Sequence, residues 1–295
     1  MLLTLGLMWG ATFMVIEIAL RGITPFWLAS ARIGFAAALL SVIWLARGAR
    51  LFHAPARRAD WATLAFIGTF STAVPFMLLS WGQKTVTSGF AGISMATVAI
   101  MVLPLTHFLV SGDRLTWRKI AGFAIGFAGV AALIGPGAFA SSGIEGETAG
   151  RLACLTAAAC YALSSVLMQR LPAIDPIGLA AVQLLFGTAL VIPTAFAVEG
   201  LPVRPDALTL GALLVLGLLP TASATLLRVA VIRTAGATFM SLVNYIVPIV
   251  SVIVGAVVLS EPVPATFLIA LALVLAGMAL SQWTALKRLV IRRAA

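Results

Sequence analysis

The chain has 295 residues, of which 62% are hydrophobic and only 9% charged, and its mean hydropathy is +1.12. A domain solvated by water carries roughly 25% charged residues, so a soluble globular class is excluded and the bilayer is the expected solvent. The formal net charge of +10 does not argue for nucleic acid, because the basic residues stand between apolar windows rather than along one soluble face.

A hydrocarbon core ~30 Å thick needs about 20 apolar residues at 1.5 Å each. Windows of that length follow one another at 2–20, 25–46, 61–81, 88–111, 117–136, 150–170, 176–197, 207–227, 236–259 and 264–285. The pattern predicts an all-α transmembrane chain of ten helices. The first window has no Lys or Arg before it, is interrupted by Glu17, and is followed at once by further spans, so it reads as a retained span rather than a leader. The second break carries Arg47, Arg50, Arg57 and Arg58, the fourth Arg114, Arg118 and Lys119, and the basic tail 286–295 carries Lys287, Arg288, Arg292 and Arg293. The odd breaks hold little beyond Arg21, Lys84, Arg151 and Arg204. Short cytoplasmic loops are enriched in Lys and Arg, so a multi-pass inner (plasma) membrane protein with both termini cytoplasmic is expected.

Six of the seven tryptophans fall at span ends, Trp27 and Trp81 on one side and Trp44, Trp61, Trp117 and Trp283 on the other, as amphipathic rings at headgroup level should. Trp9 and the two tyrosines, Tyr161 and Tyr245, are placed deep. Cys154 and Cys160 lie on one predicted helix about 9 Å apart by rise alone, too far for a disulfide, and no His or Cys cluster suggests a metal.

The second half repeats the first. Pro25-Phe-Trp-Leu-Ala-Ser-Ala-Arg-Ile-Gly-Phe35 aligns with Pro176-Ile-Gly-Leu-Ala-Ala-Val-Gln-Leu-Leu-Phe186, Gly92…Pro104 with Gly236…Pro248, and Gly112-Asp113…Gly129 with Ser260-Glu261…Gly277. The expected units are a first five-span repeat over 1–136, a loop over 137–149 and a second five-span repeat over 150–285. Five is odd, so the second copy should enter the membrane from the opposite side. That construction is used by secondary transporters with a midplane site.

These features resemble the drug/metabolite transporter superfamily, specifically its ten-span EamA-type exporters. The resemblance covers nearly the whole chain and is carried by Trp9-Gly10-Ala11-Thr12-Phe13, Pro25…Arg32, Pro248…Ser260-Glu261 and Gly277. The first copy departs from the pattern in placing Gly112-Asp113 one turn early. The resemblance implies alternating access of two inverted bundles around a central cavity and export of amino acids or similar metabolites, with bacterial amino-acid exporters the most similar members.

Polar residues inside a membrane are candidates by default. Trp9 and Thr12 share a helical face, and Tyr161 and Ser164 repeat that spacing on the matching span. They predict a cavity with a π surface, hydroxyls and little fixed charge, suited to amphipathic or zwitterionic solutes, with helix packing the alternative. Asn244 and Tyr245 lie about 12 Å into their span, one turn before Pro248, and read as cavity residues or an interhelical amide contact. Arg32 costs ~2.5–3.5 kcal/mol to bury alone; an ion pair with Glu17, contact with a substrate carboxylate and snorkelling all satisfy it. His107 and Arg228 fall near predicted span ends and are discounted. Gly122-Phe-Ala-Ile-Gly126 is a close-packing face.

The expected partners are a small-molecule substrate and the lipid bilayer, with no nucleic acid, metal or cofactor, and oligomeric state is not legible. An enzyme would need a nucleophile with its base or a metal cluster, and a channel a charged ring or carbonyl filter; neither is present. Drug, lipid and nucleotide-sugar carriage remain alternatives to amino-acid export.

Overall fold

The computed structural model describes residues 1–53, 55–110, 116–134, 146–281 and 283. Ten helices follow in order: α1 (Leu2–Leu20), α2 (Pro25–Ala46), α3 (Arg58–Gly82), α4 (Ser88–Leu109), α5 (Trp117–Ile134), α6 (Glu147–Arg170), α7 (Pro176–Glu199), α8 (Ala207–Ala235), α9 and α10 (Ala265–Ser281). Helix α9 is built in three pieces, Ala237–Met240, a tight 3-10 turn over Ser241–Tyr245, and Ile246–Leu259. Among the described residues eight helices are 19 to 29 residues long and apolar enough to cross a bilayer. Helices α5 and α10 are shorter, with 18 and 17 residues. The only β pairing among the described residues is a single bridge between Phe52 and Ile174. The all-helical class expected from the apolar windows is therefore the observed one.

Helix starts follow the local chemistry. Pro25 and Pro176 stand in the first turns of α2 and α7, where a missing N–H leaves no hydrogen bond unmade. Asp175 accepts from Gly178 N at 2.6 Å, Asp206 from Thr209 N at 2.8 Å and Thr87 from Phe90 N at 3.2 Å, each satisfying an otherwise unpaired N–H of the first turn. Helix α8 runs on to Ala235, beyond the end at 227 expected from the sequence, because Arg228 lies inside the bundle rather than at its rim.

Three pairs of helices drawn from the two halves of the chain, α2 with α7, α4 with α9 and α5 with α10, lie side by side and antiparallel. At one end of the α2–α7 pair, Glu199 accepts from Phe26 N at 3.0 Å and from Trp27 N at 3.1 Å. At the other end Asp175 N donates to Leu51 O at 2.8 Å and His53 N to Ala173 O at 3.1 Å. For α4 and α9, Glu261 just beyond α9 accepts from Ser88 N at 2.9 Å and Gly89 N at 3.1 Å at the start of α4. Helices α5 and α10 pack through glycine: a Cβ on Gly122 would come within 2.4 Å of Gly277 O, and one on Gly129 within 2.8 Å of Val274 Cγ2. The close-packing face expected at Gly122 is thus the contact with α10. Gly112 and Asp113, whose position departs from the repeat, lie outside the described residues.

Two helices carry a widened turn with i→i+5 spacing, α3 over Thr69–Ala73 and α8 over Gly217–Ser223. Pro75 follows the first and Pro220 lies within the second. Proline removes an N–H from the ladder, and hydroxyls take up part of the slack: Thr221 Oγ1 donates to Leu216 O at 2.6 Å and Ser223 Oγ to Leu218 O at 3.0 Å. Such single widened turns recur at functional sites.

Candidate functional site

A cavity of about 100 Å3 lies between α1, α2, α3, α4, α6, α8 and α9. One water needs roughly 10–15 Å3, so there is room for several. Helix α1 reaches it because of its glycines. A Cβ on Gly10 would stand 2.5 Å from Val250 Cβ, and one on Gly6 2.5 Å from Ile246 Cβ, so α1 closes directly onto α9. Trp9, Thr12, Phe13 and Ile16 then line the cavity. The Trp9 indole N–H donates to Pro220 O at 3.1 Å; its partner is a backbone carbonyl in the widened turn of α8, not cavity water. Thr12 Oγ1 donates back to Met8 O at 2.8 Å.

Two charges line the cavity, Arg32, which the sequence singles out, and Arg228, which it does not. Arg32, 3% exposed, donates from Nε to Thr221 Oγ1 at 3.2 Å and holds its guanidinium carbon 4.1 Å from the centroid of Phe76. Arg228, 6% exposed, donates from Nη2 to Ser165 Oγ at 2.8 Å and Ser164 Oγ at 3.3 Å, and sits 5.8 Å from the Tyr161 centroid. Phe76 and Tyr161 are 6.4 Å apart by ring centroid. The order Arg32, Phe76, Tyr161, Arg228 is therefore a ladder of cation, ring, ring, cation. Each cation over a ring gains ~2 kcal/mol when desolvated, which offsets part of the burial cost without neutralising the charge. No carboxylate lines the cavity, and neither arginine forms a salt bridge among the described residues.

This corrects three expectations. Arg228, set aside as a span-end residue, is a cavity residue, because α8 is long and its polar end lies further along at Arg233, which donates to Leu171 O at 2.7 Å and Pro172 O at 2.8 Å. The cavity is not poor in fixed charge. Glu17 and Arg32 do not pair: the neighbours of Glu17 in the electrostatics of the fold are Glu261 and Arg21, and Arg32 turns instead toward α3 and α8.

Of the residues singled out from sequence, Trp9, Thr12, Arg32, Tyr161 and Asn244 all line the cavity. Ser164 is one step behind it, under Arg228, and its neighbour Ser165 takes the lining position. Tyr245 does not join them. It packs with Ala96, Ala99, Ile100, Val274 and Met278, and its buried hydroxyl has no hydrogen-bond partner among the described residues. Asn244 and Tyr245 are successive residues, about a third of a turn apart, so with Asn244 facing the cavity Tyr245 faces α4 and α10. Phe76, Ser71, Thr225 and Met95 also line the cavity and escaped notice in the sequence, since nothing distinguishes them there from ordinary packing. Arg228 did leave a signal: Val229-Ala-Val-Ile232 follows it, so the apolar window does not end there.

An all-helical bundle of apolar spans around a polar, aromatic-walled cavity is the architecture of a polytopic membrane protein. The EamA-like transporter family matches residues 1–135 and 148–283, and the chain belongs to that family. It is 26% identical over 270 residues to an uncharacterized transporter of Archaeoglobus fulgidus, covering 91% of this chain and 92% of that one. It is 29% identical over 262 residues to the uncharacterized inner membrane transporter YedA of Escherichia coli K12, covering 86% and 80%. A probable terminal-alkyne amino-acid exporter of Streptantibioticus cattleyicolor is 29% identical over 280 residues, covering 92% and 89%. A solved crystal structure superposes with a TM-score of 0.69 over 97% of this chain and 96% of its own, at 21% identity, a likeness of fold. The chain is an EamA-type membrane transporter.

Proposed function

We propose that this transporter exports small amphipathic metabolites of the size of amino acids, amino acids or their derivatives, by alternating access of two inverted five-helix repeats around the Trp9–Arg32–Tyr161 cavity. The observation that carries the reading is the cavity itself, where cationic, hydroxyl and aromatic groups meet at the centre of a bundle whose exterior is apolar. Guanidinium groups hold carboxylates well, and the rings offer a surface for an apolar body. The similarity to a probable amino-acid exporter supports the substrate size. The antiparallel contacts of α2 with α7, α4 with α9 and α5 with α10 support the inversion, because helices related by an axis in the membrane plane must run in opposite directions. Seven arginine and lysine residues in the second and fourth breaks support an inner-membrane placement with both termini cytoplasmic.

The test is counterflow in liposomes holding the purified protein. Preloaded unlabelled amino acids or their derivatives should drive accumulation of the labelled compound, and Trp9→Ala should reduce that accumulation. Lack of counterflow with every amphipathic metabolite of amino-acid size would reject the reading.

A further inference from the structure

Among the described residues, two guanidinium groups and no carboxylate line the cavity, an imbalance that a cargo of opposite charge would relieve. We infer that the preferred substrate is a net organic anion with an apolar or aromatic body: a carboxylate whose amine is acylated, replaced by an oxo group or offset by a second carboxylate, rather than a zwitterionic amino acid. The inference rests on the cavity being the substrate site.

Arg32 and Arg228 are 3% and 6% exposed, and each uses one nitrogen on a neutral hydroxyl, at Thr221 and at Ser164 and Ser165. Their remaining N–H groups have no protein acceptor among the described residues, while both side chains line the cavity. A buried charge left uncompensated is costly, whereas guanidinium–carboxylate hydrogen bonds are among the strongest available to a protein. The ammonium of a zwitterion would meet the opposite situation. The cavity's side-chain acceptors are neutral, Asn244 and the hydroxyls of α1, α3, α6, α8 and α9, and two cations share its space. Glu17, one residue beyond the lining residue Ile16, does not line it. The ring faces of Phe76 and Tyr161 are already engaged by Arg32 and Arg228, so they are poor sites for a third cation. Trp9 and Phe13 remain as surface for the apolar body.

The experiment varies charge on a constant benzyl group: phenylpyruvate and N-acetyl-L-phenylalanine as monoanions, benzylsuccinate as dianion, L-phenylalanine as zwitterion, L-phenylalaninamide as cation, and benzylphosphonate as a phosphorus oxyanion. Calorimetric binding to the detergent-solubilised protein should favour the carboxylate anions over L-phenylalanine by roughly tenfold or more, with no binding of the amide. Arg32→Gln and Arg228→Gln should each shrink that preference, and Arg32→Lys should keep part of it. Benzylphosphonate binding above all the carboxylates would overturn the carboxylate assignment. Counterflow of L-phenylalanine that depends on Trp9 and equals or exceeds that of the anions would overturn this inference and leave the proposed function standing. Absence of both binding and counterflow for the whole series would overturn both.

Discussion

The indole N–H of Trp9 donates to the carbonyl of Pro220 across 3.1 Å, fastening the middle of α1 to the widened turn of α8. Trp9 is thus a tether as well as a cavity wall. Trp9→Phe keeps an aromatic surface but removes the donor, and leaving a buried acceptor unpaired costs about 1–3 kcal/mol. The variant is expected to melt earlier in detergent by that order, and Trp9→Ala earlier still, with counterflow of aromatic substrates reduced in both. A melting curve of Trp9→Phe superimposable on the parent would show that the tether contributes nothing.

Arg32 is held by Thr221 and Phe76, not by Glu17, and that separation has a measurable signature. Residues without shared partners give additive effects within about 0.3–0.5 kcal/mol. A double-mutant cycle of Glu17→Gln and Arg32→Gln, read by thermal stability in detergent, should show coupling no larger than this. Counterflow should fall with Arg32→Gln whether or not Glu17 is intact. Rescue of Arg32→Gln by the second substitution would restore the ion pair that the geometry denies.

The spans were legible because transfer of twenty apolar residues from water leaves little choice of structure. Trp9 and Tyr161 could be placed at the centre since tryptophan and tyrosine at mid-depth depart from their interfacial habit. Arg228 was misplaced for the opposite reason. A guanidinium is normally where an apolar window stops, and only Tyr161, Ser164 and Ser165 on a different helix make its burial tolerable. Tyr245 could not be separated from Asn244 because two adjacent polar residues on a helix face different ways, and the residue types do not say which of the two meets the cavity. The Glu17–Arg32 pair failed because depth along two helices constrains how far apart two groups are in height, not the faces on which they lie.

Glu199 closes the start of α2 from the end of α7, accepting from Phe26 N, Trp27 N and Thr24 Oγ1. A carboxylate at a helix N-terminus satisfies unpaired N–H groups and opposes the helix dipole. Glu199→Ala should cost about 0.5–2 kcal/mol. Glu199→Gln should cost less, since its amide oxygen still accepts. Thermal unfolding of the two variants in detergent gives the ranking, and equal losses would assign the whole effect to charge.

Gly10 is the point at which α1 meets α9. A Cβ there would lie 2.5 Å from Val250 Cβ and 3.0 Å from Val247 O. The backbone carbonyl cannot move aside as a side chain can, so Gly10→Ala must push the helices apart, at about 1–3 kcal/mol for an overpacked contact. Because Trp9 is the adjacent residue, the same shift should misalign its bond to Pro220. Gly10→Ala is therefore expected to lower melting temperature and counterflow together. Gly211, with open space around its Cβ position, is the control: Gly211→Ala should leave both unchanged.

Arg50 and Arg204 are both exposed and lie at opposite ends of the bundle. Arg50 follows α2 near the Leu51–Asp175 contact, and Arg204 precedes α8 beyond Glu199. The enrichment of cytoplasmic loops in Lys and Arg puts the Arg47–Arg58 break inside and the Arg204 break outside. Single cysteines at these positions report the orientation, since Cys154 and Cys160 are buried and give little background with a membrane-impermeant maleimide. Arg204→Cys should label in intact cells, and Arg50→Cys only after the membrane is permeabilised. The reverse pattern would place both termini outside and overturn the cytoplasmic assignment. Labelling of both positions from one side would be more damaging. It would require an even number of crossings between residues 50 and 204, against the five helices α3 to α7 that separate them among the described residues, and with it the inverted relation of the two halves would fall.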